Sequence, residues 1–392
     1  MRRWAAVILY LAIFLGEVVW NGFVPLVPQF AQRFALTKLD AGILLAITSA
    51  TILVVSLPAA SVCERFGPRR LTVLATAVMA AATLWQGLAG SFAGLAGARG
   101  LFGIGFGVIW ISGLRWLSEL AGPREAQALS LTVTTAGVSA VVGPTVSGVM
   151  VSRLGMAWPF AAIAAVTGLL AVAMWLEPSR TGAPTGEHEP IREMLDGIAD
   201  DRLVGVSLLV MATAGLLAAA INLLVPLQLH RNGVTTSWIG IAFGVSAVVF
   251  ICSSGAVARS VERFTKVRAV ALGMGAAVVV TTIPVLTEST SGLAAYLIAR
   301  APLTAFLFTV AFPLGAIGAR RAGITVGAVA ALINVSWSLS MLIGPLVFAV
   351  VAQYAGNRAA YLLLMAVFCC SIGWMLLPRG RSTAAPAPGR GR

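Results

Sequence analysis

Charge is scarce in this chain. Asp, Glu, Lys and Arg make up only 10% of its 392 residues, against about 25% in a soluble domain. Apolar residues make up 59%, so the chain belongs in a lipid bilayer rather than in water. Histidine occurs only as His188 and His230, and cysteine only as Cys63, Cys252, Cys369 and Cys370. None of them has metal-ligand spacing. The cysteines lie in or at the ends of apolar stretches, which predicts buried, inert thiols. No G-x-x-x-x-G-K-[ST] loop is present, so ATP is excluded as the energy source. With no paired acids inside an apolar stretch and both histidines peripheral, an enzyme is excluded as well, and no cofactor is implied beyond a proton as coupling ion. The net charge of +13 is spread over short loops without interleaved aromatics. It reads as a topology signal and not as a nucleic-acid surface.

Long apolar runs are what the chain does have. A helix needs about 20 such residues to cross the hydrocarbon core. The runs predict an all-α membrane protein of twelve spans, near 4–29, 39–62, 70–90, 93–117, 126–151, 156–177, 203–229, 237–259, 267–287, 291–317, 322–353 and 357–378. The first run follows Arg2 and Arg3 like a signal peptide, but it is too long and lacks a small-x-small cleavage site, so it reads as an uncleaved span. If the N-terminus is cytoplasmic, the outer loops hold only Arg33, Lys38, Arg153, Arg231 and Arg358 of the 27 Lys and Arg. Apart from Arg99 and Arg300, within spans, all others fall inside. That asymmetry places both termini in the cytoplasm. Residues 178–202 read as a cytoplasmic linker with a surface helix around 189–201, and 379–392 as a disordered cytoplasmic tail.

The two halves, 1–177 and 203–378, repeat one another. Asn21-Gly22-Phe23-Val24-Pro25-Leu26 returns as Asn222-Leu223-Leu224-Val225-Pro226-Leu227, 201 positions on. The same shift relates Arg99 to Arg300 and Gly143-Pro144 to Gly344-Pro345, and a shift of 198 relates Glu64-Arg65-Phe66 to Glu262-Arg263-Phe264. A duplicated half built of apolar spans is how many secondary transporters are made.

Glu64-Arg65-Phe66-Gly67-Pro68-Arg69-Arg70, between spans two and three, resembles the G-x-x-x-D-R-x-G-R-R loop of the major facilitator superfamily. Glu64 stands for its Asp, Ala60 for its leading Gly and Pro68 for an Arg. Arg99-Gly100-Leu101-Phe102-Gly103-Ile104-Gly105 resembles that superfamily's R-x-x-x-G-x-G segment. Gly143-Pro144-Thr145-Val146-Ser147-Gly148 resembles the G-P-x-x-G-G signature of its twelve-span drug/proton antiporters, with Ser147 for a Gly. The resemblance implies two pseudo-symmetric six-helix bundles rocking about a midplane cavity. It also implies gating roles for Glu64, Arg65, Gly67, Arg69, Arg70, Gly143 and Pro144. On physical grounds alone, the arginines could simply anchor a tight loop to anionic headgroups. Glu64 could cap a helix or pair with an arginine across the halves. Gly143-Pro144 could kink span five where the halves meet or merely pack tightly.

Only Glu17, Arg99 and Arg300 are charges well inside a span. Each costs about 2.5–3.5 kcal/mol at a helix centre, which makes each a functional candidate. Glu17 lies about 20 Å from the cytoplasmic end of span one and Arg99 about 10 Å from the outer end of span four. These depths coincide in a core about 30 Å thick, so the two could pair. Glu17 is then the candidate proton carrier with Arg99 beside it, or else a structural partner of that arginine. Arg300 has Ala218 where Glu17 would repeat. It is left to bind carbonyls, share Glu17 or meet an anionic substrate. Helical spacing adds Asn21, Asn222, Phe106, Trp110, Asn334, Trp337, Ser338 and Met341 as candidate substrate contacts. The expected protein is a monomeric, multi-pass transporter of a bacterial inner membrane with lipid and a small molecule as its partners. Proton-coupled export of a small hydrophobic or amphipathic compound leads, and proton-coupled uptake of a small metabolite, anionic ones included, is the alternative.

Overall fold

The computed structural model describes residues 2–177 and 201–377. The expected linker helix and terminal tail lie outside those residues. Among the described residues, twelve helices are long and apolar enough to cross a membrane. In the first half, α1 runs from Trp4 to Arg33, α2 is Lys38–Phe66, α3 is Pro68–Leu88, α4 begins at Phe92, α5 is Glu125–Leu154 and α6 is Ala157–Leu176. In the second, α7 is Arg202–Arg231, α8 Thr236–Ala258, α9 Val267–Leu286, α10 Thr290–Ala322, α11 Val326–Tyr354 and α12 Asn357–Leu376. Helices are the expected outcome, because lipid offers the backbone no hydrogen-bond partner.

The ends are set by local chemistry. Thr37 accepts from the Asp40 amide while Asp40 receives the Thr37 N–H, a reciprocal cap that starts α2. Ser91, Ser289 and Thr325 cap α4, α10 and α11 in the simpler way. Arg69 donates to the Met174 and Trp175 carbonyls at the end of α6 (3.3 and 2.7 Å), and Arg202 does the same at Trp374 and Met375 of α12. A cation on the last carbonyls suits the helix dipole.

Several runs extend beyond their sequence-predicted limits. The fourth does so most, passing through a π-helical turn at Ile109–Gly113 into Leu114–Ala121. Thr72 of α3 donates to Ser112 (2.9 Å) there, and Ser112 donates back to the Val108 carbonyl. In α1, Pro25 and Pro28 break the helix into a 3-10 turn at Val24–Leu26 before it resumes at Val27–Arg33. The repeat residue Pro226 leaves α7 unbroken. Leu229 stands where the second proline would be, so one lost amide donor does not add to another.

Packing follows the repeat. Helix pairs α1·α5, α2·α4, α3·α4 and α3·α6 of one bundle recur as α7·α11, α8·α10, α9·α10 and α9·α12 of the other. The bundles meet through α5 against α8 and α2 against α11. Gly42 and Gly240 allow both crossings. A Cβ on Gly42 would sit 2.6 Å from the Pro345 carbonyl oxygen and 2.7 Å from Ala349 Cβ, and one on Gly240 would strike the Pro144 carbonyl. Gly143-Pro144 therefore lies where the halves meet, and its pseudo-symmetric mate Gly344-Pro345 does too. Gly143 also packs on Val18 and Gly22 of α1.

One correction concerns the cysteines. Cys63 is buried, but Cys252, Cys369 and Cys370 are exposed on the uncovered faces of α8 and α12. On a spanning helix an apolar position can face acyl chains as readily as protein, so apolar context alone does not bury a thiol.

Candidate functional site

Hydrogen bonds between the bundles gather at the arginine-poor ends of the helices. Gln29 donates to Thr236 Oγ1 (2.8 Å), and Ser237 donates to the Gly148 carbonyl (3.4 Å). Lys38 Nζ donates to the Ala352 carbonyl and to Asn357 Oδ1, both at 2.7 Å, and the Leu39 amide donates to Gln353 Oε1. Sequence reading counted Lys38 only as an outer-loop charge. Towards the arginine-rich end the bundles part. Burial in α8 stops at Ser246 although the helix continues to Ala258. Ala5, Leu9, Ala12, Trp116, Leu117 and Met174 there form a core separate from the main one. Exchange of Lys38 for Met should remove two charge-assisted contacts on a half-buried group. That is worth about 2 kcal/mol against the closed end, and labelling of a cysteine at Asn222 from the arginine-poor side should rise by up to about thirtyfold.

Beneath the closed end, Arg99 of α4 is 1% exposed. Its Nε donates to the Leu44 carbonyl (3.2 Å), its guanidinium lies 4.0 Å from the centre of the Phe23 ring, and Trp20 and Phe102 stand at 6.0 and 5.9 Å. Desolvated cation–π contact contributes about 2 kcal/mol, against several for burying the charge. Phe102 stacks on Phe106 (5.5 Å), which meets Trp110 edge-on at 6.3 Å and Trp20 at 6.3 Å. The cage residues Trp20, Phe23 and Phe102 escaped sequence reading, although Trp20 and Phe102 lie three positions from Glu17 and Arg99 on the same helical faces.

Glu17 is half-buried. Asn21 Nδ2 donates to its carboxylate (3.2 Å) and to its carbonyl (2.9 Å), and the Trp110 indole lies beside the carboxylate. Equal depth did not make Glu17 and Arg99 a pair. Arg99 reaches towards the arginine-poor end among aromatic rings, while Glu17 is held a turn further in. Across the interface, Asn222 and Met341 join Trp20, Val24, Leu45, Arg99 and Pro345 around a cavity of about 10 Å³.

The remaining candidates are spread more widely. Arg300 is half-buried and donates to Ser246 of α8 (3.1 Å), whose hydroxyl donates to the Leu297 carbonyl (2.8 Å). Thr48, which repeats as Ser246, donates likewise to the Arg99 carbonyl (3.3 Å). Trp337 packs edge-on against Phe308 (5.6 Å), Asn334 is exposed and Ser338 half-buried. Glu64 meets Arg115 of its own bundle at 3.9 Å, and Arg115 meets Glu119 at 3.8 Å. Arg65 lies over Phe66 (5.4 Å), Gly67 takes φ +83° to turn the chain, and Arg70 is exposed. His230, expected to be solvated, is half-buried with Nδ1 unpartnered, and His188 lies outside the described residues. Among the described residues no cluster of His, Cys, Asp or Glu could hold a metal.

Two kinds of comparison place this architecture. Over 95% of its length the fold overlays, with a TM-score of 0.77 and 16% identity, on 96% of a bacterial homologue of the human lysosomal transporter Spinster, in both unoccupied and occupied inward-facing conformations. It overlays with a TM-score of 0.62 and 18% identity on 99% of the human organic anion transporter MFSD10. In sequence, 118 residues are 31% identical to an uncharacterized MFS-type transporter of Mycobacterium tuberculosis, a match spanning 29% of this chain and only 20% of that protein. Residues 9–330 match the family profile of the Major Facilitator Superfamily, and the chain belongs to that family.

Proposed function

We propose that this protein is a secondary active transporter of a bacterial inner membrane. It works by alternating access and exports a small hydrophobic or amphipathic compound in exchange for protons. The observation that carries the reading is Glu17. This carboxyl group deep within a span is half-buried, accepts from Asn21 and, among the described residues, forms no ion pair with an arginine. Such a group holds a proton where it is desolvated and releases it where water or a cation reaches it. With the arginine-poor end outside, the present conformation is closed to the outside and opens inward. Cytoplasmic compounds then reach Trp110, behind which the buried Phe106 packs edge-on. The ion pair between Glu64 near the inner end of α2 and Arg115 of α4, part-exposed, contributes about 0–1 kcal/mol and tunes the inner end.

Uptake of a small anionic metabolite is the second reading, favoured by the buried charge of Arg99. Direction separates the two. Cells expressing the protein should accumulate less of a transported dye, and a protonophore should restore accumulation. In proteoliposomes, adding that dye should move protons across the membrane. Dye accumulation raised by expression would reverse the direction, and dye transport with no proton movement would remove Glu17 as the coupling group.

A further inference from the structure

The cavity beneath the closed end holds an incomplete electrostatic arrangement. Arg99 is one of the largest fully buried side chains in the protein, and its Nη1 has no hydrogen-bond partner. Phe23, Trp20 and Phe102 surround the guanidinium with rings and supply no negative charge. No carboxylate among the described residues forms an ion pair with it, and Glu17 is engaged by Asn21. Arg99 lines the cavity from one bundle and the half-buried Asn222 from the other. The remaining walls are Trp20, Val24, Leu45, Met341 and Pro345, all apolar.

From this arrangement we infer that the Arg99–Asn222 cavity is the subsite for the anionic head of the substrate, and that the substrate class is an organic monocarboxylate with an apolar or aromatic body. A carboxylate supplies what the site lacks: a negative charge and two acceptor oxygens, one for Arg99 Nη1 and one for the Asn222 amide. The inference rests on the second reading above, uptake of a small anion, and narrows it. At about 10 Å³ the cavity now has room for about one water. Its walls come from both bundles, so it widens when the arginine-poor ends separate, and the head binds in that open conformation. Closure of the Lys38 and Gln29 contacts then expels it inward.

The test uses the full-length protein in lipid nanodiscs, titrated at neutral pH with 1-naphthoate and with its neutral counterpart 1-naphthamide. Naphthoate should bind at least about tenfold more tightly than the amide, the loss expected for one charge-assisted hydrogen bond. Arg99→Gln should erase the difference, Arg99→Lys should retain part of it, and Asn222→Ala should weaken naphthoate several-fold. Gly42→Leu, which keeps the arginine-poor end open, should bind naphthoate more tightly than wild type because more of the protein is competent. Should Arg99→Gln fail to fold, the acid–amide contrast in wild type, Gly42→Leu and Asn222→Ala carries the test. Equal affinity for acid and amide, binding of neither in Gly42→Leu, or selectivity kept in Arg99→Gln would overturn the inference. Proton movement in proteoliposomes, read separately, distinguishes it from the parent reading. Selective naphthoate binding without proton movement leaves the anion site and removes the coupling. Proton movement evoked equally by the amide does the reverse.

Discussion

Replacing Gly42 with leucine is expected to abolish transport while leaving a folded, membrane-inserted protein. The added Cβ alone would lie 2.6 Å from the Pro345 carbonyl oxygen and 2.7 Å from Ala349 Cβ. A backbone carbonyl inside a packed helix cannot rotate away as a side-chain tip can. Relief therefore comes from separating α2 from α11, which is the movement that opens this end of the molecule. Overpacking of this kind costs about 1–3 kcal/mol, and each 1.4 kcal/mol is tenfold in the balance of two conformations. The three atoms nearest to that Cβ all belong to α11, so the strain falls on the crossing between the bundles and not on the packing within either. The closed conformation described here becomes rare, and turnover, which must pass through it, falls at least about tenfold. Transport should be measured together with impermeant-maleimide labelling of a cysteine at Asn222, in a background lacking Cys252, Cys369 and Cys370. Labelling from the arginine-poor side should rise about tenfold. Normal transport, or lost transport with unchanged labelling, would contradict the wedge. Gly240, set against Pro144 in the pseudo-symmetric crossing, should behave in the same way.

The second large effect belongs to Glu17. Glutamine has the same shape and still accepts from Asn21, so Glu17→Gln removes the exchangeable proton and little of the geometry. Gradient-driven accumulation should fall by about 100-fold, since a catalytic-type proton step contributes about that much or more. Substrate exchange with no net driving force should stay within a few-fold of wild type. The response of transport to external pH should disappear as well. A glutamine variant that still concentrates substrate against its gradient would make Glu17 a structural residue, and loss of both driven transport and exchange would point to a misfolded site. Arg99 gives the contrast. It holds no proton in the reading advanced here, and its replacement should change which compounds bind before it changes how transport is driven.

Sequence alone was enough for much of the architecture. Twelve apolar runs reveal twelve spans because the hydrocarbon thickness fixes their length. The 201-residue repeat exposes the two bundles because equal sequences at equal depths pack alike, and Arg99 beside Thr48 returns as Arg300 beside Ser246, although Thr48 donates to the Arg99 carbonyl while Ser246 accepts from the Arg300 side chain. The cost of intramembrane charge picked out Glu17, Arg99 and Arg300 from an otherwise apolar chain.

Which of these groups meet was decided by tertiary structure. Depth along a helix says nothing about direction around it, so Glu17 and Arg99, level by residue counting, face different partners. The helical break that two prolines impose at Val24–Leu26 and the π-turn at Ile109–Gly113, which contains Trp110, change direction by fractions of a turn, which spacing rules do not resolve. Lys38 reads as a loop charge until α11 brings its last carbonyls and Asn357 within 2.7 Å. Gly42 and Pro345 are 303 positions apart. Their contact exists only because two bundles, each encoded locally, close on one another, and that closure defines the cavity in which Arg99 and Asn222 face each other.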